Sequence, residues 1–384
     1  VRSRRQRQMC IRDRFVSTPL EILINLTDEL KSHLGQSVSE HKNVFRDKHL
    51  QRELIKEHNP ELGIKFLNGE HDQLDPQEIE EKVWYPYIIK PVDGVQSSWV
   101  GKINNRKDFD AYMDSYQEFH DRLKSKGIDT HELIVEEFID WKLYSIDYFV
   151  DQEGNTFISK PVKVKLGIDI GVQDYCNIAR IVSEKTEWEF KWKRLKTFIN
   201  STVKATGVKN TFVHHEFKIN SKGEFKTIEL NWRIGGWRLE VMMKAYDLNL
   251  YEFIANPEIN PGKLKNNVMG INLYATKKWI LNGYNQKLLE KISQRESVYT
   301  IETDESVVGK EIWLTKDGFE KVWVIKIKHK DYKILRKDYL YIKKHYKEIL
   351  QITVPPMDNA SRIPALDAVK TVSYTHLRAH ETRH

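Results

Sequence analysis

The sequence has little cysteine, with only 2 residues in a chain of 384. Two cysteines cannot form the disulfide framework of a small secreted domain, so we predict a reducing, cytoplasmic setting. The sequence also has no apolar run of roughly 18 residues, so no membrane-spanning helix is predicted. General disorder is excluded because 40% hydrophobic and 11% aromatic residues are enough to build a packed core.

The net charge of +7 is unevenly distributed. Residues 1–14 carry six Arg and one Asp, and residues 372–384 carry two Arg and one Glu. Six of the seven net positive charges therefore lie in these terminal strings, and the rest of the chain is nearly neutral. A polybasic arm that contacts nucleic acid is one interpretation of the first string. The nearly neutral middle favours a protein that does not bind nucleic acid.

Neither terminal string shows the periodicity of a helix or a strand. Both resemble translated sequencing-adapter read-through at the ends of metagenomic reading frames, so we exclude them from fold reasoning. We expect 1–14 to be an artefactual tail and 357–384 to be a disordered or artefactual tail. Residue 1 is Val rather than Met, and we therefore expect the chain to be a fragment.

Hydrophobic periodicity between these tails predicts an α+β fold with antiparallel hairpins. Helices are predicted at Leu20–Leu34, Asp47–His58, Lys107–Lys126, Glu184–Ala205 and Gly236–Ala245. Strands are predicted at Gly63–Leu67, Tyr87–Pro91, Glu132–Ile139, Leu143–Val150, Thr156–Val164, Thr211–Ile219 and Phe225–Asn231. Trp188 and Trp192 lie on the apolar stripe of the helix 184–205, which predicts that both belong to the core.

One predicted hairpin carries the strongest candidate site. If Lys222-Gly223 is a two-residue turn, Glu216 lies directly opposite Glu229, with Cβ atoms about 4.5–5.5 Å apart. Asn231 and Arg233 share the face of Glu229. The opposite, core-facing side is predicted to carry Phe217, Ile219, Ile228 and Leu230. Two adjacent carboxylates favour a cation between them, and with an amide oxygen they suit Mg²⁺ or Mn²⁺.

These features also have ordinary structural interpretations. The glutamate pair alone could be a set of surface acids on an exposed hairpin. His214 and His215 have no partner at metal-binding spacing, and Cys176 has no paired Cys or His, so structural packing is predicted for all three. His214 nevertheless shares the predicted metal face. The lysine-rich run 326–337 alternates as an edge strand does, because lysines on an edge oppose aggregation.

Four motifs occur in a fixed order along the chain, namely FRDK (45–48), YIIKPVDG (87–94), LIVEEFI (133–139) and ELNWRIGG (229–236). In this order and spacing the sequence resembles the ATP-grasp superfamily, specifically its carboxylate–amine ligase branch. The resemblance covers roughly Phe45 to Pro257. It implies an ATP-grasp fold, in which two α+β subdomains hold ATP between antiparallel sheets and a small lid closes over the nucleotide.

The resemblance places the nucleotide contacts residue by residue. The two phosphate-binding lysines fall on Lys48 and Lys90, each a compact charge suited to phosphate oxygens. The acceptor for the adenine amino group falls on Glu136 with the backbone of Glu137, and Ile139 packs near the ring. Lys90 also has a catalytic role in this correspondence, because it neutralises charge on the transferred phosphoryl group.

The resemblance places the metal and substrate contacts further along the chain. Arg233 takes the position whose guanidinium stabilises the transferred phosphoryl group. Gly235-Gly236 allows the backbone to approach the substrate at a helix start. Arg180 is a candidate contact for the substrate carboxylate or polyphosphate, and its ordinary alternative is a surface arginine. The metal positions fall on Glu216, Glu229 and Asn231.

The sequence departs from the family pattern in three places. The glycine-rich phosphate loop is replaced by DGVQSSWVGK, in which Ser97, Ser98 and backbone amides would contact phosphate. Leu143 stands where an acidic residue commonly holds the ribose hydroxyls. The Rossmann-like domain that precedes the family's fold is represented only by residues 15–44.

The predicted organisation is therefore an ATP-grasp domain at 45–262, with a lid at about 84–135, and a β-rich subdomain at 263–356. The implied activity is phosphorylation of a carboxylate by ATP with Mg²⁺ or Mn²⁺, followed by joining to an amine with release of ADP and phosphate. The partners would be small carboxylates and amines, without nucleic acid or membrane. The oligomeric state is open, with a homodimer as one alternative. Other functional alternatives are a bicarbonate-using carboxylase or carbamoyl-phosphate-type enzyme, and a non-catalytic ATP-binding protein.

Overall fold

The computed structural model describes residues 16, 18, 23–41, 44–92, 99–124, 132–170, 177–249, 252–253, 256, 258–274, 279–312 and 321–353. Its helices are α1 (Ile24–His33), α2 (Lys48–His58), α3 (Pro76–Lys82), α4 (Arg106–Lys124), α5 (Glu184–Trp188), α6 (Trp192–Thr206), α7 (Gly236–Tyr246), α8 (Gln286–Ser293) and α9 (Tyr332–Ile349).

The strands begin with β1 (Phe66–Glu70), β2 (Tyr87–Pro91), β3 (Gly101–Ile103), β4 (Glu132–Glu137), β5 (Lys142–Val150), β6 (Thr156–Ile158), β7 (Val162–Leu166) and β8 (Asn177–Val182). The later strands are β9 (Thr211–Ile219), β10 (Phe225–Asn231), β11 (Asn267–Tyr274), β12 (Trp279–Tyr284), β13 (Val298–Thr303), β14 (Glu311–Ile312), β15 (Lys321–His329) and β16 (Leu350–Thr353). The predicted strand at 87–91 and both strands of the predicted hairpin are confirmed at these bounds.

The described strands form three sheets, and every ladder among them is antiparallel. A four-stranded sheet has the order β1-β4-β2-β3. A nine-stranded sheet has the order β10-β9-β5-β7-β8-β11-β15-β13, with β6 paired to β5. A three-stranded sheet has the order β14-β12-β16. The predicted α+β class with antiparallel hairpins is therefore confirmed.

Helices cover the large sheet where its strands are apolar. α6 packs Leu195, Phe198 and Ile199 against aromatic residues of β5, β9 and β10, which include Tyr144 and Phe217. α6 ends at Gly207, whose φ of 60° lies in the left-handed region that glycine adopts without a steric cost. α7 packs against the next strands through Val241 and Met242 together with Val162, Val182 and Val268. The opposite face of β9 and β10 is left to the polar residues of the candidate site.

The prediction of one helix at 184–205 is wrong, because the chain breaks between α5 and α6. Phe190, in the break, packs edge-on against Tyr144 with ring centroids 4.8 Å apart. This apolar anchor interrupts the helix and places Trp188 and Trp192 at helix ends instead of on one stripe. The two tryptophans are 78% and 42% exposed, so their predicted place in the core is also wrong.

The prediction of an edge strand at 326–337 is wrong as well. β15 lies inside the nine-stranded sheet between β11 and β13, and the run continues into α9. An interior strand tolerates Lys326 because its Nζ lies 3.1 Å from carboxylate oxygens of both Glu240 and Glu302. The run therefore contains an interior lysine, Lys326, that is paired with two carboxylates. Among the described helices, none is long and apolar enough to cross a membrane.

Candidate functional site

The predicted pairing of Glu216 with Glu229 is confirmed in the hairpin of β9 and β10. The route to this pairing differs from the prediction. Near the turn, Phe225 pairs with Ile219, and the register then shifts by one residue between Thr227 and Glu229. This β-bulge restores the register that puts the two glutamates opposite each other.

Ile228 occupies the bulge, and its predicted place on the core face is wrong. It packs with Leu143 of β5 and with Val164 and Leu166 of β7. These apolar residues lie beside the glutamates rather than under α6, because a bulge turns two successive side chains toward the same face. Leu143, which stands at the family's ribose position, thus belongs to an apolar cluster on the site face. We call these four residues the apolar slot.

The helix α2 brings three polar side chains to the site. Asp47 caps it by accepting a hydrogen bond from the Leu50 amide at 2.9 Å, so the helix starts at Lys48. The Lys48 Nζ lies 3.4 Å from Glu229 Oε1 and donates to the Val92 carbonyl at 3.3 Å. Gln51 donates to the Leu230 carbonyl at 2.9 Å and accepts from its amide at 3.0 Å, which fixes the helix against β10.

Glu136 lies buried between two cations. Its carboxylate oxygens are 2.7 Å from Lys90 Nζ and 2.8 Å from Arg52 Nε. Burial alone would raise the pKa of Glu136, but Arg52 and Lys90 outweigh it and lower the pKa to about 2. The carboxylate is therefore ionised and engaged on both oxygens. Arg52 also donates to the carbonyl of Ile228, so it joins the two larger sheets.

The segment after β4 connects the four-stranded and nine-stranded sheets. Two hydrogen bonds join Glu137 and Lys65. The Glu137 amide donates to the Lys65 carbonyl at 3.0 Å, and the Lys65 amide donates to the Glu137 side chain at 2.9 Å. Lys218 of β9 donates to the Ile139 carbonyl at 2.6 Å. Burial lowers the pKa of Lys218 to about 8. Glu137, Phe138 and Ile139 are thus held from both sides, which suits a hinge with fixed backbone groups.

Gly235 sits against a buried network of polar groups. Its amide donates to Asp147 Oδ1 at 2.6 Å, and the same oxygen lies 3.1 Å from His214 Nδ1. A Cβ at position 235 would lie 2.0 Å from His214 Nδ1, so only glycine fits. Arg238 reaches Glu216 Oε1 at 2.5 Å and Asn177 Oδ1 at 3.1 Å. The network therefore runs from the glycine pair to the predicted metal carboxylate.

The two predicted arginines lie at different places around this loop. Arg233 is half-buried and its Nη1 donates to the Ile234 carbonyl at 3.2 Å. Arg180 lies in β8 with its guanidinium 4.4 Å from the ring centroid of Trp237. Gly270 pairs with Arg180 across the ladder and lies beside that indole. Arg180 is thereby linked to the start of α7, where Gly236 lies next to Trp237.

The donor set at the hairpin fits a hard divalent cation. Asn231 is 3% exposed and, although buried, its Oδ1 has no hydrogen-bond partner among the described residues. A buried amide oxygen without a hydrogen-bond donor, beside two carboxylates, forms the kind of oxygen ligand set that binds Mg²⁺ or Mn²⁺. No group of three or more His, Cys, Asp or Glu residues that could hold a metal occurs among the described residues. The candidate ligands therefore remain Glu216, Glu229 and Asn231.

Sequence reasoning did not identify Arg52, Asp147, Lys218 and Arg238. Lys218 had a usable signal, since it shares the strand parity of Glu216. Asp147 ends the segment YSID (144–147), which directly follows Leu143, and no role was predicted for it. Ser97 and Ser98, predicted to contact phosphate, lie outside the described residues, as does Cys176.

Comparisons with known proteins agree with this architecture. The ATP-grasp domain family matches residues 83–241. The chain resembles the crystal structure of L-amino acid ligase from Bacillus licheniformis at a TM-score of 0.67 and 17% identity, covering 91% of this chain and 84% of that one. A search of curated protein sequences finds no match.

Two further structures show similar agreement. N5-carboxyaminoimidazole ribonucleotide synthetase from Thermotoga maritima gives a TM-score of 0.55 at 15% identity, with 91% and 85% of the chains covered. The biotin carboxylase domain of Hydrogenobacter thermophilus 2-oxoglutarate carboxylase, in complex with MgADP and bicarbonate, gives 0.52 at 15% identity, with 86% and 72% covered. The predicted ATP-grasp fold is confirmed, and the match to the ATP-grasp domain family covers residues 83–241.

Proposed function

We propose that this protein is an ATP-dependent, ADP-forming ligase that activates a substrate carboxylate and joins it to an amine. The observation that carries the proposal is the contact of 3.4 Å between Lys48 and Glu229. It places a cation suited to phosphate next to a carboxylate suited to Mg²⁺ or Mn²⁺. The ATP-grasp domain and the donor set of Asn231 and Glu216 support the same proposal.

The nucleotide would lie between the four-stranded sheet and the site face of β9 and β10. The apolar slot and Ile139 offer a dry surface for the adenine ring. The Glu137 amide already donates to the Lys65 carbonyl, so the Glu137 carbonyl is the backbone group that would accept from the adenine amino group. Lys48 and Lys90 would contact phosphate oxygens. Since Glu136 is held by Lys90 and Arg52, its role would be to orient the lysine as well as to face the base.

The chemistry requires no protein nucleophile. A substrate carboxylate oxygen would attack the γ-phosphorus of ATP, and the bond to the β-phosphate oxygen would break to release ADP. The amine nitrogen would then attack the acyl carbon, lose a proton and expel phosphate. Lys90 and Arg233 would stabilise charge on the transferred group through positioning and electrostatics.

Glu216, Glu229 and Asn231 would hold Mg²⁺ or Mn²⁺, which when bound neutralises charge on the phosphates. The ion pair with Arg238 balances the charge of Glu216. Burial alone would raise the pKa of Glu216, but Arg238 and His214 outweigh burial and hold this pKa well below its usual range. A carboxylate that stays ionised is available to a cation at any pH near neutrality. The described residues therefore supply both the charge and the oxygen atoms for this role.

A bicarbonate-using enzyme that forms carboxyphosphate is the second candidate. The likeness to a biotin carboxylase domain bound to MgADP and bicarbonate favours it. The two candidates differ in their carboxylate substrate, so ADP release stimulated by bicarbonate alone would favour the carboxylase. A third candidate is an ATP-binding protein without catalysis. It is supported by Leu143, which stands where the family commonly has a ribose-binding acid and packs in the apolar slot. It predicts nucleotide binding without ADP release.

The variant Glu229→Gln tests the ligase proposal. It keeps the side-chain shape but removes the charge beside Lys48, and we expect ADP release to fall by about 100-fold or more. Glu224→Gln, in the turn of the same hairpin, is the matched control and should keep the full rate. ADP release would be screened against pools of carboxylic and amino acids. Near-normal ADP release by Glu229→Gln, with circular dichroism unchanged, would refute the assignment.

A further inference from the structure

A second cavity lies away from the candidate nucleotide site. Its volume is about 500 Å³, and it lies where α5, the segment before β11 and the end of β15 meet. Its charged lining consists of Lys160, Glu184, Glu187, Lys263, Lys265 and Lys330. None of the residues assigned above to nucleotide, metal or substrate lines it. We call this cavity the lysine cleft.

Four lysines and two glutamates give the lysine cleft an excess of positive charge. Glu187 is already engaged, since it accepts from the Tyr246 hydroxyl at 2.6 Å and lies 3.6 Å from Lys160 Nζ. Within the described part of the chain, Lys263, Lys265 and Lys330 have no carboxylate at ion-pair distance. Three lysines and one remaining glutamate, Glu184, therefore line the same space.

The walls of the lysine cleft are fixed by buried hydrogen bonds. Asn267 is 2% exposed; its Oδ1 accepts from the Glu184 amide at 3.0 Å and its Nδ2 donates to the Lys330 carbonyl at 2.9 Å. The amides of Lys265 and Asn266 both donate to the Ala245 carbonyl, at 3.0 and 2.9 Å. The backbone that carries the lysines is thus held in place, which lowers the entropic cost of binding a ligand.

Lys160 is also held in its position. Its Nζ lies 4.9 Å from the ring centroid of Trp192 and 5.5 Å from that of Tyr246. Two aromatic faces and Glu187 orient this lysine at one side of the cleft, whereas Lys263, Lys265 and Lys330 occupy the rest. Four lysines around a small volume, one of them held in position, favour compact, multiply charged anions over extended ones.

We infer that the lysine cleft binds a compact anion with at least two negative charges, built from phosphate or carboxylate groups. The cleft adjoins the last turn of α7, whose first residue is Gly236 of the candidate site. A helix of 11 residues spans about 16 Å, so the bound anion would lie one helix length from the glycine pair. The inference concerns a site separate from the nucleotide site and does not depend on the proposed ligase activity.

Calorimetric titration with inorganic pyrophosphate and with citrate, in the absence of Mg²⁺, tests the inference. We expect at least one of them to bind the full chain, and the double variant Lys263→Ala/Lys265→Ala to weaken binding by roughly tenfold. The matched control is Lys343→Ala/Lys344→Ala, which removes the same charge from the exposed face of α9 and should leave affinity unchanged.

The two probes distinguish the chemical source of the anion, since pyrophosphate carries phosphate groups and citrate carries carboxylates. Binding of either that is lost in the cleft variant alone supports the inference. Binding that ADP displaces, or that both double variants weaken equally, would overturn it, because the anion would then lie in the nucleotide site or respond to net charge. Absence of binding by both probes would overturn it as well.

Discussion

At the scale of single residues, Arg52 is a buried cation on which two sheets depend. It is 2% exposed and binds Glu136 of the four-stranded sheet and the Ile228 carbonyl of the nine-stranded sheet. We expect Arg52→Met to destabilise the protein by about 3–5 kcal/mol, because Glu136 would keep only one of its two buried partners. Urea unfolding would measure the change.

The exposed arginine Arg106 provides the control for this prediction. Its pair with Asp110 lies on the outside of α4, with both side chains more than half exposed. Arg106→Met should therefore leave the free energy of unfolding nearly unchanged, because exposed ion pairs contribute little. If the two arginine variants proved equally stable, the bridging role of Arg52 would be wrong.

The glycine pair offers a sharper comparison between neighbours. A Cβ at 235 would collide with His214 Nδ1 at 2.0 Å and with Asp147 Oδ1 at 2.5 Å, whereas a Cβ at 236 would meet no described residue within 4 Å. Gly235→Ala should therefore lower the free energy of unfolding by about 3 kcal/mol, through displacement of a packed buried network. Gly236→Ala should be neutral or slightly stabilising, since alanine favours the first turn of α7. Equal melting temperatures would contradict this geometry.

The same residues show what a sequence pattern can and cannot supply. Strand parity and an assumed two-residue turn at Lys222-Gly223 predicted that Glu216 lies opposite Glu229. The pairing is correct, but the register next to the turn differs by one residue from the assumed one, and the bulge at Ile228 compensates for the difference. The partners of Arg52 and Arg238 were out of reach, because periodicity reports the face on which a residue lies and not which distant carboxylate meets it. Glu136 is 84 positions from Arg52 along the chain, and only the folded chain brings them together.

At the scale of elements, Glu189 fixes the break between α5 and α6. Its carboxylate accepts from Lys142 and Lys163 at 2.7 Å each and from the Tyr144 hydroxyl at 2.5 Å. Burial raises the pKa of Glu189, but the three donors outweigh it and lower the pKa to about 2. Three donors from β5 and β7 thus hold the turn that sequence periodicity interpreted as continuous helix.

This carboxylate predicts a pH-dependent stability. The folded pKa lies below the usual value of about 4.3, so the stabilisation is complete above that pH and is lost as pH falls toward 2. Glu189→Gln should cost about 1–2 kcal/mol at pH 7, after allowance for partial exposure, and the cost should vanish near pH 2. Urea unfolding of both proteins across this range would measure it.

Glu290→Gln, on the exposed face of α8, is the control for the pH series and should follow the parent protein throughout. A cost for Glu189→Gln that stayed constant with pH would mean that its charge is not the source of the stabilisation.

The break between α5 and α6 also explains why the predicted core positions of Trp188 and Trp192 are wrong. Spacing alone could not show that Phe190 would enter the core and end one helix before the next began.

At the scale of the whole molecule, the nine-stranded sheet crosses the proposed boundary at residue 262. The strands β11, β15 and β13 continue the sheet that carries the candidate site, and β11 pairs directly with β8. The domain bounds proposed from the sequence remain predictions, but the described strands on both sides share one ladder. The motif order was enough to predict the ATP-grasp fold, because each motif marks one element of it.

Shortening the chain tests this continuity. A chain that ends at residue 262 should aggregate, because loss of β11 uncovers the edge of β8 and the buried Val182. A chain that ends at residue 356 removes only the predicted tail and should unfold as the parent does. Size-exclusion chromatography and urea unfolding would compare them. A soluble, cooperative product ending at 262 would show that the first part folds independently.

The bulge at Ile228 also affects which single-codon deletions the hairpin can tolerate. In a regular strand, loss or gain of one codon moves every following side chain to the wrong face. Here the hairpin carries one residue more than its ladder requires, so deletion of codon 228 would leave Glu229 opposite Glu216 and Asn231 opposite His214. Such a lineage would keep its cation-binding groups while losing one wall of the apolar slot. The bulge is therefore a position at which descendants could alter ligand fit through a single-codon event without disturbing the charged centre.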